Sequence, residues 1–382
     1  MIVFRSLATE LAELQAFAML PNDECYNFTN RECKKLRLKG LKNRLKQVFL
    51  LPGVAAPFRR LIAGSAVIFM LHRFQVPELG IEGNSPHNLR TALVGLRKRK
   101  YRFASLVDIL RSLEQGADLS GTVGFTIDDG YWEQGLVAGP VFAEFDCPVT
   151  TFLCTGFLDG QLWFWWDRIE YIFLNTKLTS LQIRSSTFQA EYEWQTDEER
   201  SRCQAEFTEA CKEMSVSDIQ LCIEALASVA GVELPKDPPR RYAPLTWDQA
   251  RECERHGMTF GPHTLTHSIL SRTSDAQSEA EILKSWMRLR QELKSPAPVF
   301  CYPNGQAQDF GAREFDLIRK AGMLGAVTGC TGGYASAAQF RETPEARFKV
   351  GRFSMPSDLA DVLQYVNGVY QFKAGFRGKP AE

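Results

Sequence analysis

The 382-residue sequence has no apolar run long enough to cross a bilayer. Its most apolar stretches, at residues 48–51 and 66–71, fall far short of the ~20 residues a membrane helix needs, so a multi-pass membrane protein is excluded. It has no excess charge, since 45 Lys and Arg balance 45 Asp and Glu. A dedicated nucleic-acid binder normally carries a basic excess on one face, and none is expected here. The ten cysteines include no Cys-x-x-Cys pair and show neither zinc-ribbon nor disulfide-framework spacing. The first residues lack the ordered charged, apolar and small-residue regions of a secretory signal. A reduced, cytoplasmic setting is the expectation. With 45% apolar and 24% charged residues, the chain is ordinary globular material rather than a disordered one.

Neutrality conceals two unlike regions. Residues 1–60 hold eleven Lys and Arg against five Asp and Glu, and no acidic residue occurs from 33 to 77. Residues 34–60 read as a basic amphipathic segment. Either it lies peripherally on the anionic inner face of a membrane, at about 1 kcal/mol per basic residue near the headgroups, or it packs its leucines on the main domain. The expected division is an extension over 1–62, a main domain over 63–372 and a tail over 373–382.

Within the main domain, apolar runs at 66–71, 122–127, 148–153, 258–260, 299–302 and 324–328 alternate with helical periods at 105–116, 137–145, 247–256, 274–293, 313–321 and 359–370. Fully apolar strands between helices imply a mainly parallel sheet covered on its faces. Six such strands suffice to suggest a distorted (β/α) barrel. Residues 176–240 break the rhythm, with an alternating apolar segment over 181–194 and then polar-rich helices through 230, and read as a largely helical insertion.

Two stretches carry chemistry. In Thr126-Ile127-Asp128-Asp129-Gly130, adjacent carboxylates end an apolar strand, where parallel α/β folds present reactive groups. Neighbours on an extended chain point apart, which suits two different jobs. In His263-Thr264-Leu265-Thr266-His267, two imidazoles four residues apart land on one side of a helical turn and can reach one metal ion. Thr264 stands where a zincin would have its Glu, which disfavours that protease class. Only five histidines are present, and a third, His72, ends the strand at 66–71. An Asp with two His makes an N/N/O site with room for a water, as in catalytic zinc centres. The other Asp is then free to act as base and a nearby His as acid, a parts list for hydrolysis of an amide or ester. Within the aromatic run 162–167, Trp165 can line a saccharide groove. The alternative is that the run packs the start of an amphipathic helix through Trp166, Ile169 and Phe173.

The residues resemble the polysaccharide deacetylases of NodB-homology type, carbohydrate esterase family 4. Thr-Ile-Asp-Asp-Gly is similar to that family's Thr-Phe-Asp-Asp-Gly motif, His-Thr-Leu-Thr-His to its His-Ser/Thr-x-x-His motif, and Phe300-Cys301-Tyr302-Pro303-Asn304-Gly305 to its third. The resemblance implies Asp128 as base, Asp129, His263 and His267 as ligands of one divalent cation with zinc the first expectation, and Thr264 as a brace between the imidazoles. It implies that the Asn304 backbone N–H stabilises the oxyanion and that Tyr302 adjoins the substrate. Cys301 stands where many members carry an Arg that orients the base. No histidine follows His267, but Met70-Leu71-His72-Arg73-Phe74 is similar to the permuted subgroup, which implies His72 as the acid. His72 is then expected across the metal centre from Asp128, with an acetamido carbon between them. The implied activity is removal of N-acetyl groups from an amino sugar in a polysaccharide, lipid-linked glycan or lipopolysaccharide precursor. Alternatives are a related N-acyl or O-acyl hydrolase and a catalytically weak glycan-binding module.

Overall fold

The structure is a computed structural model. It describes residues 53–184 and 188–376, together with 48, 50 and 51. The expectations for residues 1–47 therefore lie outside the described residues, as does most of the basic segment. Chain contacts set residues 1–54 apart from a compact unit that begins at Ala55.

Seven parallel strands form the centre of that unit: β1 (Ser65–Leu71), β2 (Thr122–Asp129), β3 (Val149–Leu153), β4 (Met258–Pro262), β5 (Val299–Cys301), β6 (Gly325–Thr331) and β7 (Val350–Ser354). Their order is β4-β3-β2-β1-β7-β6-β5. Runs such as 66–71 are buried on both faces, which requires helices outside and packing within. The sheet curls into a nearly closed barrel of the NodB-homology type. At the seam β4 and β5 share no ladder, but Ala297 N–H donates to the Phe260 carbonyl at 2.7 Å. The strand β7 is not expected from the sequence. It is five residues long and carries a glycine and an arginine, so no apolar run marks it.

The principal helices are α1 (Pro86–Lys98), α2 (Leu106–Glu114), α3 (Trp165–Asn175), α4 (Asp197–Cys211), α5 (Val216–Ala230), α6 (Trp247–Arg255), α7 (Asp275–Glu292), α8 (Ala312–Lys320), α9 (Leu359–Val366) and α10 (Val369–Phe376). No described helix is long and apolar enough to cross a membrane. The helical period expected over 359–370 is two helices, divided at Gly368, whose φ of +77° suits glycine. Helix α2 plugs one end of the barrel. Its Leu106, Ile109, Leu110 and Leu113 join Ala66, Ile68, Phe152, Val299, Val327 and Val350 in one apolar cluster. A side chain at Gly124 would meet Ile109 at 2.7 Å, which places this plug near the strand starts and leaves the strand ends open.

The break in rhythm after residue 176 contains an antiparallel hairpin, Ser180–Arg184 with Gln189–Glu193, followed by α4 and α5. Phe173 of α3, Leu181, Ile183, Tyr192 and Trp194 of the hairpin, Phe207 of α4 and Ile223 and Leu226 of α5 form a separate core. The insertion therefore stands on α3, with the alternating segment forming the hairpin and the polar-rich stretch the two helices. At the other end of the unit, a short helix, Ala56–Ile62, packs Phe58 on Phe372 with ring centroids 5.0 Å apart. Arg59 there donates to Asn367 Oδ1 at 2.7 Å and to the Tyr101 hydroxyl at 3.0 Å, so this basic residue is tied to the domain.

Gly261 of β4 lies against the start of β5. A Cβ there would lie 2.7 Å from the Val299 carbonyl oxygen and 2.8 Å from the Phe152 ring. Gly261→Ala is expected to destabilise the protein by about 1–3 kcal/mol through overpacking against backbone, read as a lower denaturant midpoint with unchanged slope.

Candidate active site

The open ends of β1, β2, β4 and β5 converge on one cavity of about 1540 Å³. Strand β2 delivers both carboxylates, and they diverge as the alternation of a strand requires. Asp128 turns toward the barrel axis. Asp129, with φ +90°, turns toward the loop after β4. Gln134 fixes the strand tops by donating from Nε2 to the carbonyls of His72 at 2.8 Å and Asp128 at 2.5 Å.

His263 and His267 are not on a helical turn. Strand β4 runs through Pro262 into a loop in which Thr264 and His267 adopt φ of +65° and +61°, which no right-handed helix permits. The imidazoles nevertheless converge, with ring centroids 4.8 Å apart. Thr264 Oγ1 accepts from His267 N–H at 2.9 Å and donates to the His263 carbonyl at 2.5 Å. Buried Glu281 of α7 supports the same loop, accepting from the backbone N–H groups of Leu265 and Thr266, each at 2.8 Å. Neither Glu281 nor Gln134 stands out in the sequence, because a single polar residue in a helical period carries no sign of what it faces.

Asp129 Oδ1 lies 3.6 Å from His263 Nε2 and 3.4 Å from His267 Nε2. Those separations are longer than an ordinary N–H···O hydrogen bond. They match the edge of a tetrahedron of ligands held at 2.0–2.2 Å from zinc, roughly 3.4 Å. His263 Nδ1 is 2.8 Å from the Cys301 carbonyl, which as an acceptor fixes the proton on Nδ1 and leaves Nε2 with its lone pair. Burial and the neighbouring His267 push the His263 imidazole down to about 4, so it is neutral at pH 7. A second cluster, Asp128, His263 and Cys301, is also compact. It is a poor cation site, because both Asp128 oxygens are taken and burial pushes the Cys301 thiol well up, keeping it protonated.

What takes the Asp128 oxygens is Arg352 of β7. Its Nη1 donates to Oδ1 and its Nη2 to Oδ2, both at 2.7 Å. Burial alone would raise the Asp128 carboxyl, but the guanidinium outweighs it and holds the group below the ordinary carboxylate range. The cation missing at Cys301 is thus supplied from another strand, and the small Cys301 thiol leaves room for it, 3.2 Å from Nη2. A buried charge in the short strand 350–354 is the available signal.

The remaining expected residues line the same cavity. His72 is about half exposed, and its Nε2 lies 3.9 Å from Asp128 Oδ2. That gap is too narrow for an acyl carbon between the two atoms, so the expected arrangement on opposite sides is corrected: in this rotamer the groups stand side by side. Asn304 has φ +58°, its side chain donates to Asp309 Oδ2 at 2.6 Å, and its own N–H makes no backbone hydrogen bond among the described residues. Tyr302 is buried and stacked on Phe310 at 4.1 Å, with a hydroxyl lacking a partner among the described residues. Partly buried Trp165, at the start of α3, forms cavity wall and also packs on the insertion core. Trp166 meets the His267 ring edge-on at 4.8 Å.

The sequence profile of the polysaccharide deacetylases matches residues 116–323, just over half of the chain. The chain belongs to the polysaccharide deacetylase family. The match spans all three motifs but excludes His72 and Arg352. No curated protein matches the sequence. Among solved structures, a Streptococcus pyogenes deacetylase, PplD, in complex with acetate shares the fold. It has a TM-score of 0.51 and 17% identity, with 79% of this chain and 98% of that one covered. IcaB from Ammonifex degensii gives a TM-score of 0.47 and 15% identity over 79% of this chain and 97% of the other.

In this deacetylase-family protein, Arg352→Met strands a buried carboxylate and is expected to cost about 3–5 kcal/mol at pH 7. The intact pair contributes stability above the unfolded Asp pKa of about 4 and loses it as pH falls through the depressed folded value. In the variant, unopposed burial raises the Asp128 pKa, so stability should instead grow as pH falls from 7 toward 4. Denaturant titrations from pH 7 down to about 3 read the contrast: the variant gains stability above about pH 4, and the intact pair loses its contribution only below it.

Proposed function

We propose that the protein is a metal-dependent carbohydrate de-N-acetylase, hydrolysing the acetamido group of an amino sugar. The observation that carries this reading is the N/N/O triad of Asp129, His263 and His267, with donor atoms at ligand-to-ligand spacing rather than hydrogen-bond spacing. A divalent cation held there, with zinc the first choice for this donor set, would supply Lewis acidity toward a water and the acyl oxygen. Asp128 takes the proton from the attacking water. Arg352 acts as a positioning residue that keeps the carboxylate ionised and fixed, and Oδ2, the oxygen facing His72, is the one beside the reaction. His72 gives a proton to the leaving amine, and its exposed side chain has freedom to swing from Asp128 toward the substrate. The Asn304 N–H, which makes no backbone hydrogen bond among the described residues, is available to the developing oxyanion. Trp165 offers a flat apolar wall to a sugar face. We further propose that the protein works in the cytoplasm, with the basic segment before the barrel as the candidate contact with the inner membrane face.

Acetate release from N-acetylglucosamine oligomers should occur, stop on chelation and return with zinc. Asp128→Asn should keep metal content while turnover falls by about 10²–10⁴, whereas His263→Ala should lose both. Near-normal turnover in Asp128→Asn would reverse the assignment of base and ligand.

His72→Ala should retain metal and substrate affinity while turnover falls sharply on amides. An activated ester such as p-nitrophenyl acetate needs little leaving-group protonation and should be affected far less. Equal losses on both substrates would mark a positioning role instead.

A further inference from the structure

Beside the triad, the cavity wall holds a second polar device that the proposed reaction does not use. Arg73 and Asp167 both face the cavity, on the residue after His72 and on the first turn of α3. Arg73 is immobilised: Nε donates to buried Glu133, Nη2 to the Arg241 carbonyl at 2.6 Å, and the guanidinium lies 3.8 Å from the centre of the Tyr131 ring. No hydrogen bond from Nη1 is made among the described residues. Asp167 is nearly fully buried, at 2% exposure. An indole can only donate, so the Tyr131 hydroxyl accepts from Trp166 Nε1 at 3.1 Å and must give its own proton to Asp167 Oδ2 at 2.7 Å. That leaves Oδ1 accepting no hydrogen bond among the described residues.

The unused donor and unused acceptor are 4.0 Å apart. An oxygen placed ~2.8 Å from each would see them at roughly 90°, within the range a hydroxyl tolerates. Arg73 disfavours an ammonium or metal cation, and burial, which raises the Asp167 carboxyl well above the usual carboxylate range, disfavours any further charge beside it. A neutral hydroxyl donates to one and accepts from the other. Trp165 and Trp166 lie immediately before Asp167 in the same helical turn, adding an apolar face beside this polar pair.

We propose that Arg73 Nη1 and Asp167 Oδ1 form a subsite that grips one ring hydroxyl of the saccharide in the cavity, and so determine which sugars are accepted. The inference deepens the deacetylase reading and rests on it for the identity of the ligand. It does not depend on the metal or on turnover.

The test is calorimetric binding of N-acetylglucosamine tetramer, and of its analogues deoxygenated at one ring position throughout, to the full chain and to Asp167→Asn and Arg73→Lys. In the unmodified protein, one deoxy position should weaken binding by about 10- to 100-fold, as expected for a hydrogen bond to charged groups. Asp167→Asn, which can still accept from Tyr131, should bind the parent tetramer correspondingly less well and should no longer distinguish that analogue. Hydrolysis of p-nitrophenyl acetate, which has no sugar hydroxyl, should stay within about twofold in both variants. If either variant fails to fold, the deoxy series on the unmodified protein decides alone. Deoxy analogues that all bind within threefold of the parent overturn the proposal, leaving the pair to hold a structural water only. So does an unmodified protein that binds no tetramer. Binding without acetate release would overturn the catalytic reading and leave this one standing.

Discussion

A guanidinium with no exposure to water lies on the axis of this barrel, and the arrangement around it governs what the open end can be. Burying Arg352 is tolerable only if all five of its N–H donors find acceptors. They do: Nε reaches the Thr328 carbonyl, Nη1 the Thr126 hydroxyl and Asp128 Oδ1, and Nη2 Asp128 Oδ2 and Cys301 Sγ. Those acceptors come from β2, β5 and β6, so one side chain on β7 ties four strands together where the barrel changes from apolar packing to open cavity. Asp128 is thereby ionised, immobile and oriented before any ligand arrives. The cost of two buried charges also means that removing either partner's charge destabilises the protein.

Around that anchor the backbone is held in unusual conformations. Asp129, Thr264, His267 and Asn304 all have positive φ without being glycine, and all four border the cavity or its loops. Such residues cost free energy and persist only where neighbours over-determine them. Glu281 supplies that restraint for the histidine loop and Gln134 for the tops of β1 and β2. The donor triad is thus preorganised by side chains several residues, or a whole helix, away from it.

The barrel alone does not complete the cavity. The insertion, founded on α3 and its own apolar core, brings residues of the α4–α5 turn to the same cavity that receives His72 and the triad. Helix α3 has two roles: its buried face holds the insertion, and its first turn presents Trp165, Trp166 and Asp167 to the cavity. The aromatic run at 162–167 therefore serves both as packing and as cavity wall.

Local chemistry is legible in short stretches of the sequence. Asp128 and Asp129 end an apolar run, and His263 and His267 frame one short motif, so these four can be named from their immediate neighbours, although the loop that makes the imidazoles converge is held by Thr264 and Glu281. Six strands of the barrel are visible as apolar runs because both faces are buried. Arg352 is not, since its partner is 224 positions away and its strand is short and interrupted by charge and glycine. Nor are Glu281, Gln134, or the pairing of Arg73 with Asp167 across 94 positions. What a sequence determines on its own is the chemistry within one element. Which charge neutralises another, and which hydrogen bonds remain unused at a cavity wall, is decided only when barrel closure brings distant elements within about 3 Å of each other, the range over which hydrogen bonds act.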